Sequence, residues 1–400
     1  CPRDRVHHSV LALRAARDRE DLGPGPVTGN QRLRVAIDGT PLVGERTGIG
    51  HFTADLIDHL AARDDIEVVA YAVTWRGRHK FADLLPKDVR AGTAPIPARV
   101  ARAVWERTPR MQIERWTGPV DVVHATNFVG PPAKAPVLLT IHDLGFMLHP
   151  DWAWGDARGY PEWVTTALKR GAMVHVPSDF VGAQAQEVFA LPAERVTRVY
   201  LGLGPIAEGN ADAGRELAGA STYVLALGQI EPRKNLPGLV RGFDRVAATN
   251  PDLSLVVAGP DGVDRPAFEA AIAAAHHGDR VRWIRYVPNN ARGDLLAGAA
   301  AFAYPSRYEG FGFPPLEAMR AGVPVVATKT GSLPEVLGDA ALLTPVEDDD
   351  ALAAALDRLL RDDELRANLV RRGAAQAAKF GWPRAVSEFA DLYRRVAATG

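Results

Sequence analysis

Short apolar runs and longer stretches of 3.6-residue periodicity alternate along most of this chain. Residues 33–38 form a β-rich run. A helical pattern follows, with Phe52, Leu56, Ile57 and Leu60 on one face. Runs at 66–73, 121–124, 137–141, 172–176 and 196–200 repeat the strand signal. A helical stretch is expected at 99–116, and another after Ser178, which suits an N-cap. A second cycle places strands at 223–227, 253–258, 281–287, 299–304, 324–327 and 341–343. Strands alternating with helices predict parallel sheets built of βαβ units. About six strands in each half predict two doubly wound α/β domains. Residues 350–380 read as two polar-faced helices, and Trp382 and Pro383 predict a break before a final helix at 385–397.

Composition shifts divide the chain. Residues 1–31 alternate charged and apolar positions, reach Gly-Pro-Gly-Pro, and are expected to lie outside the fold as a disordered or non-native extension. A first domain is expected at 32–203 and a second at 221–381, with residues 382–400 following. Gly202, Gly204, Gly209 and Gly214 break the pattern, so 204–220 reads as the linker.

With 47% hydrophobic and 24% charged residues, the chain has the composition of a globular protein. Its formal net charge of −1 gives no electrostatic case for nucleic acid. One cysteine, Cys1, excludes an internal disulfide and a Cys-based zinc site. No apolar run approaches the ~20 residues of a membrane span.

Ligands of open parallel sheets bind beyond the carboxyl ends of strands. Loops 39–50, 228–235, 259–262 and 305–313 follow such ends, as does the pair His142 and Asp143. The stretch 306–322 carries the most chemistry. Glu309 and Glu317 bracket seven residues, and Gly310 and Gly312 leave backbone N–H groups uncovered between them. Pro314 and Pro315 suit a first helical turn, where a missing N–H costs nothing. Such a helix start can hold a phosphate together with a polyhydroxylated ligand. It is not a dinucleotide loop, because the third glycine of that motif is missing. Arg233 and Lys234 stand at an expected helix start, where cations oppose the dipole unless a polyphosphate is bound there. The two glutamates remain open between an acid–base pair, a metal pair and two diol-binding carboxylates. His142 can orient a hydroxyl, move a proton, or bond the backbone. Arg99, Arg102, Arg107, Arg110 and Arg115 alternate with Val100, Val104 and Trp105. That segment reads either as a basic helix for an anionic membrane or as a crossover helix with a solvated face, which Pro109 interrupts.

Taken together, residues 228–235, 306–317, 322–328 and 333–343 resemble retaining glycosyltransferases of family four, as do Gly48, Ile49 and Gly50 and residues 140–144. Glu309 and Glu317 match that family's E-x7-E pattern, and the resemblance spans about residues 33–398. It implies the GT-B fold, two Rossmann-like domains facing across a cleft, with residues 382–400 crossing back to the first. It implies that Arg233 and Lys234 bind the donor diphosphate and that the N–H groups of Gly310, Phe311, Gly312 and Phe313 cradle it. Glu317 would then bind the ribose, Glu309 and His142 the transferred sugar, and the loop at Gly50 the diphosphate or acceptor.

The family uses no metal, and no cofactor beyond the nucleotide sugar is expected. The wording of 308–317 and 333–340 most resembles mannosyltransferases of bacterial surface polysaccharides. That implies GDP-mannose as donor and a glycan or lipid-linked acceptor, in the cytoplasm, with peripheral membrane contact through 99–116. A UDP- or ADP-sugar donor, a sugar-nucleotide epimerase and a non-catalytic nucleotide-sugar binder are the alternatives. Two departures from the relatives stand out: His51 and Phe52 where Arg-Tyr is common, and Arg285 where a small residue is common.

Overall fold

Seven parallel strands form the first sheet of the computed structural model, which describes residues 32–44, 48–152 and 155–400. In chain order they are Leu33–Asp38 (β1), Ile66–Val73 (β2), Arg90–Ala94 (β3), Val122–Ala125 (β4), Val137–Thr140 (β5), Met173–Val176 (β6) and Val196–Arg198 (β7). Six more form the second: Thr222–Leu227 (β8), Leu253–Ala258 (β9), Val281–Trp283 (β10), Ala301–Tyr304 (β11), Val325–Thr328 (β12) and Ala341–Thr344 (β13). The spatial orders are β3-β2-β1-β4-β5-β6-β7 and β10-β9-β8-β11-β12-β13. The order reverses between β1 and β4 in one sheet and between β8 and β11 in the other, and such reversals open a crevice at the strands' carboxyl ends. The central strands are apolar on both faces because helices cover both; β4, β9, β11 and β12 are buried along their whole length. The chain is thus an α/β protein of two Rossmann-like domains.

Several expected elements differ. The first sheet has seven strands rather than six, because β3, with the sequence Arg-Ala-Gly-Thr-Ala, pairs with β2 at the sheet edge without an apolar run to announce it. The expected helix at 99–116 is two pieces, Ala98–Arg107 and the single turn Glu114–Thr117, with Pro109 between them. β10 stops at Trp283 rather than 287, because Arg285 takes a left-handed backbone (φ 59°) and its carbonyl accepts from Gly259 N. Within 204–220, Ala211–Ala218 is a helix packed on the helix Asn289–Gly298. Trp382 and Pro383 start the last helix, Trp382–Ala397, rather than breaking the chain ahead of it; Pro383 sits in the first turn. Residues 1–31 lie outside the described residues.

That last helix packs on the helix Gly48–Ala61 and on β4 and β5 of the first sheet. Phe52 joins the layers: its ring lies 6.2 Å from Trp382, 6.1 Å from Phe389 and, edge-on, 5.4 Å from His142. The apolar clustering of the first sheet's helices therefore runs up to a candidate site residue.

Candidate active site

Glu309 is the electrostatic centre of the cleft. It leaves the loop after β11 and is buried, so its charge needs partners. Lys234 Nζ donates to Oε1 at 2.6 Å, Ser306 Oγ to the same oxygen at 2.8 Å, and an Arg233 N–H to Oε2 at 3.1 Å. Lys234 is itself buried and also donates to the Tyr304 hydroxyl at 2.6 Å. Glu231 takes the Arg233 Nε–H at 2.8 Å. Burial alone would raise the Glu309 carboxyl; Lys234 and Arg233 outweigh it and hold it at about 2. Burial also works against the Arg233 charge, but Glu309 and Glu231 keep its pKa above the ordinary value. A carboxyl ionised down to about pH 2 has no proton to give near neutrality, which removes the general-acid option for Glu309. Arg233 and Lys234 belong to a short 3-10 turn, Pro232–Lys234, and Asn235 in left-handed conformation leads from it into the helix Leu236–Ala247.

The loop beyond Glu309 turns into the helix Phe313–Arg320 through Gly312, whose φ of 106° suits only glycine. Among the described residues, the backbone N–H groups of Gly310, Phe311, Gly312 and Phe313 donate to no acceptor. Ser332 fixes the loop from behind, donating to the carbonyls of Phe311 at 2.9 Å and Glu309 at 3.2 Å. The carbonyls are thereby used and the amides left over, which is the polarity an anion requires. Glu317, one turn into the helix, pairs with Arg292, and burial raises its carboxyl pKa. The two glutamates are therefore held by different cations and do not form a carboxylate pair. Among the described residues no group of three or more His, Cys, Asp and Glu side chains could hold a metal ion.

The first domain supplies the other wall. His142 Nε2–H donates to the Thr126 carbonyl at 2.8 Å, and burial lowers its pKa, so the ring is neutral with Nδ1 as acceptor. Its carbonyl touches the loop opposite: a Cβ on Gly310 would lie 2.2 Å from His142 O. The Ser178 hydroxyl donates to the Gly310 carbonyl at 2.8 Å. Gly50 is buried in the first turn of Gly48–Ala61. His142 thus meets Gly310, the residue next to Glu309, where the two domains touch. Tyr304, Ser306, Tyr308, Ser178 and Arg292 surround the candidate site residues, and none was given a site role from sequence. Tyr304, Ser306 and Tyr308 lie within five residues of Glu309 and carried a local signal; Ser178 and Arg292 come from distant segments.

On the helix Ala98–Arg107, Ala101 and Trp105 face inward, while Arg99, Val100 and Arg107 are exposed. Arg102 lies over the Trp163 ring, 4.4 Å from its centroid. No helix among the described residues is long and apolar enough to cross a membrane.

Comparison with known proteins agrees with this fold. Residues 46–204 match the family model described as Glycosyltransferase Family 4, and residues 211–376 match Glycosyl transferases group 1. The chain is 28% identical over 386 residues to the O-antigen chain mannosyltransferase B of Escherichia coli, covering 90% of this chain and 100% of that one. It is 26% identical over 337 residues to the phosphatidyl-myo-inositol mannosyltransferase of Mycolicibacterium smegmatis, covering 80% and 83% respectively. Among solved structures, sucrose-phosphate synthase from Thermosynechococcus elongatus superposes with a TM-score of 0.72 at 20% identity, over 92% of this chain and 100% of that one.

Proposed function

Because the chain belongs to glycosyltransferase family 4 and has the GT-B fold, we propose that it is a retaining hexosyltransferase that moves mannose from GDP-mannose to a glycan or lipid-linked acceptor. The observation that carries the reading is the juxtaposition of two cations, one buried carboxylate and four free backbone amides at the mouth of a sheet crevice. Two relatives named as mannosyltransferases, one for O-antigen chains and one for phosphatidyl-myo-inositol, support the sugar and the acceptor class. Assembly of surface polysaccharide follows from the same likeness.

In the reaction proposed, the bond between the sugar's anomeric carbon and the diphosphate oxygen breaks. A bond from the acceptor oxygen forms on the same face, and the acceptor's proton passes to a departing phosphate oxygen. Negative charge grows on the diphosphate, where Arg233, Lys234 and the amides of Gly310 to Phe313 receive it, and the helix start at Gly50 is proposed to add its dipole there. Positive charge grows at the sugar carbon. Glu309, ionised throughout, offsets it and accepts from sugar hydroxyls. His142 Nδ1 accepts from another hydroxyl, and Glu317 takes the ribose diol. The side chains supply the positive charge themselves, so the step is written without a metal.

The exposed basic and apolar face at Arg99, Val100 and Arg107, followed by exposed Arg110 and Arg115, is proposed to rest on an anionic membrane surface at the cytoplasmic face. Vesicle flotation at matched curvature, with and without anionic lipid, tests that contact.

Melting with GDP, UDP and ADP tests the donor, since a ligand of the native state raises stability by mass action. The GDP reading expects the largest rise with GDP, turnover of GDP-mannose, and an α-linked product. A larger rise with UDP overturns the donor assignment, and a β-linked product overturns retention.

A further inference from the structure

Two side chains of the second domain, Glu335 and Tyr308, close on one helix of the first. The helix Asp179–Phe189 starts with three N–H groups that no helical carbonyl can take. Ser178 Oγ caps one, accepting from Val181 N at 3.2 Å. Glu335, from the helix Leu333–Leu337 of the opposite domain, takes the other two: Asp179 N at 2.8 Å and Phe180 N at 3.1 Å. The anionic cap also meets the positive end of the helix dipole. Further along the same helix, the Tyr308 hydroxyl donates to Gln184 Oε1 at 2.7 Å. That hydroxyl also accepts from Leu144 N at 3.0 Å, two residues beyond His142. Leu144 and Tyr308 are both buried. Tyr308 immediately precedes Glu309, so one hydroxyl ties the His142 turn directly to the Glu309 loop.

The bonds made by Glu335 and Tyr308 are all interdomain and all polar. They can therefore be exchanged for water at small net cost when the cleft opens, unlike an apolar interface. We propose that Glu335 and Tyr308 form a releasable clasp on the helix Asp179–Phe189 that sets the position of His142 against the Glu309 loop when the donor is bound. They are positioning residues. Neither is assigned a contact with donor or acceptor, and both act through the fit of the two domains. The inference rests on the glycosyltransferase reading for its kinetic consequence, and on geometry alone for its structural one.

Three variants test it: Glu335→Ala, Glu335→Gln and Tyr308→Phe. Each is compared with the wild type by solution X-ray scattering with and without GDP (UDP run in parallel), by nucleotide-dependent melting, and by transfer kinetics. The clasp predicts that Glu335→Ala and Tyr308→Phe keep the nucleotide-induced rise in melting temperature and a donor KM within about two-fold. They lose the nucleotide-induced compaction, and kcat falls about ten-fold. Glu335→Gln, which keeps one acceptor oxygen, falls between. Unchanged compaction with unchanged kcat overturns the proposal. So does loss of nucleotide binding in step with loss of activity, which would make these residues merely structural. A wild type that transfers no sugar sinks the functional reading instead. The scattering comparison then decides the clasp by itself: compaction lost in the variants supports it, and compaction retained overturns it.

Discussion

The Tyr393 hydroxyl lies 2.8 Å from His124 Nδ1, although 269 positions separate them in sequence. This contact is one end of a fully buried chain of hydrogen bonds. His124 Nε2 is 2.7 Å from Thr140 Oγ, which is 2.9 Å from His175 Nδ1, and His175 Nε2 is 3.0 Å from the Val199 carbonyl. The last acceptor has no proton, so it fixes the direction of every bond. His175 Nε2 donates to Val199, Thr140 donates to His175, His124 donates to Thr140, and Tyr393 donates to His124. Both imidazoles are neutral in this arrangement, and burial lowers the pKa of each. The chain links the C-terminal helix to β4, β5, β6 and the residue after β7.

Replacing Tyr393 by Phe keeps the ring and leaves His124 Nδ1 buried without a donor. The expected loss is about 1–3 kcal/mol, because an unmade buried bond costs the desolvation of the group left behind. Urea denaturation of the two proteins measures it; equal midpoints and equal slopes would contradict the directional chain.

Acid should loosen the first domain through its buried histidines, although the Asp38 carboxyl, which burial raises to about 6, works against them by taking up its proton in the folded state. His175 titrates at about 3 in the folded protein against about 6.5 when unfolded, so the unfolded chain binds the extra proton. Its contribution is therefore complete above pH 6.5 and shrinks as pH falls toward 3. At pH 5 the loss from this group is about 2 kcal/mol, and His124 and His142 act in the same direction. With that carboxyl removed by Asp38→Asn, stability followed from pH 7.5 to 5 should decline, and a flat profile in that variant would show that these rings accept protons while folded.

Glu309→Gln removes the carboxylate from between two cations. The expected cost is about 3–5 kcal/mol, the range for leaving a buried charge without its partner. Turnover should collapse as well. A variant that keeps both wild-type stability and wild-type transfer would contradict the central placement of this side chain. In the wild type the stabilisation from Glu309 is present above about pH 4.5 and fades as pH falls toward 2.

Chelation separates side-chain charge from metal charge. If Arg233, Lys234 and the loop amides carry the leaving diphosphate, transfer in excess EDTA proceeds at the untreated rate. A loss that added magnesium restores would assign that charge to an ion instead.

The sequence patterns that survive into the structure are the local ones. The E-x7-E spacing, the glycines between the two acids and the prolines behind them lie within a dozen positions, so periodicity and turn chemistry expose them. Partner choice is not local. Lys234 meets Glu309 across 75 positions and Glu335 meets Asp179 across 156, and no periodicity encodes either pairing. β3 escaped because an edge strand with only one neighbour can be built from Arg, Gly and Thr. The end of β10 escaped because Arg285 holds a backbone angle that its residue type rarely adopts. The roles proposed for Glu309, Glu317 and His142 come from the family resemblance and not from periodicity. The coordinates add that Glu309 arrives already ionised and already held.

The absence of a side chain on Gly310 works as a gauge block. The His142 carbonyl stands where a methyl group on that residue would have to go, at 2.2 Å. The minimum gap between the two domains is therefore one hydrogen atom wide at this point. A single added carbon acts as a doorstop in a hinge whose residues are all intact. Every bond across the cleft would lengthen together, although none of its donors or acceptors had been altered.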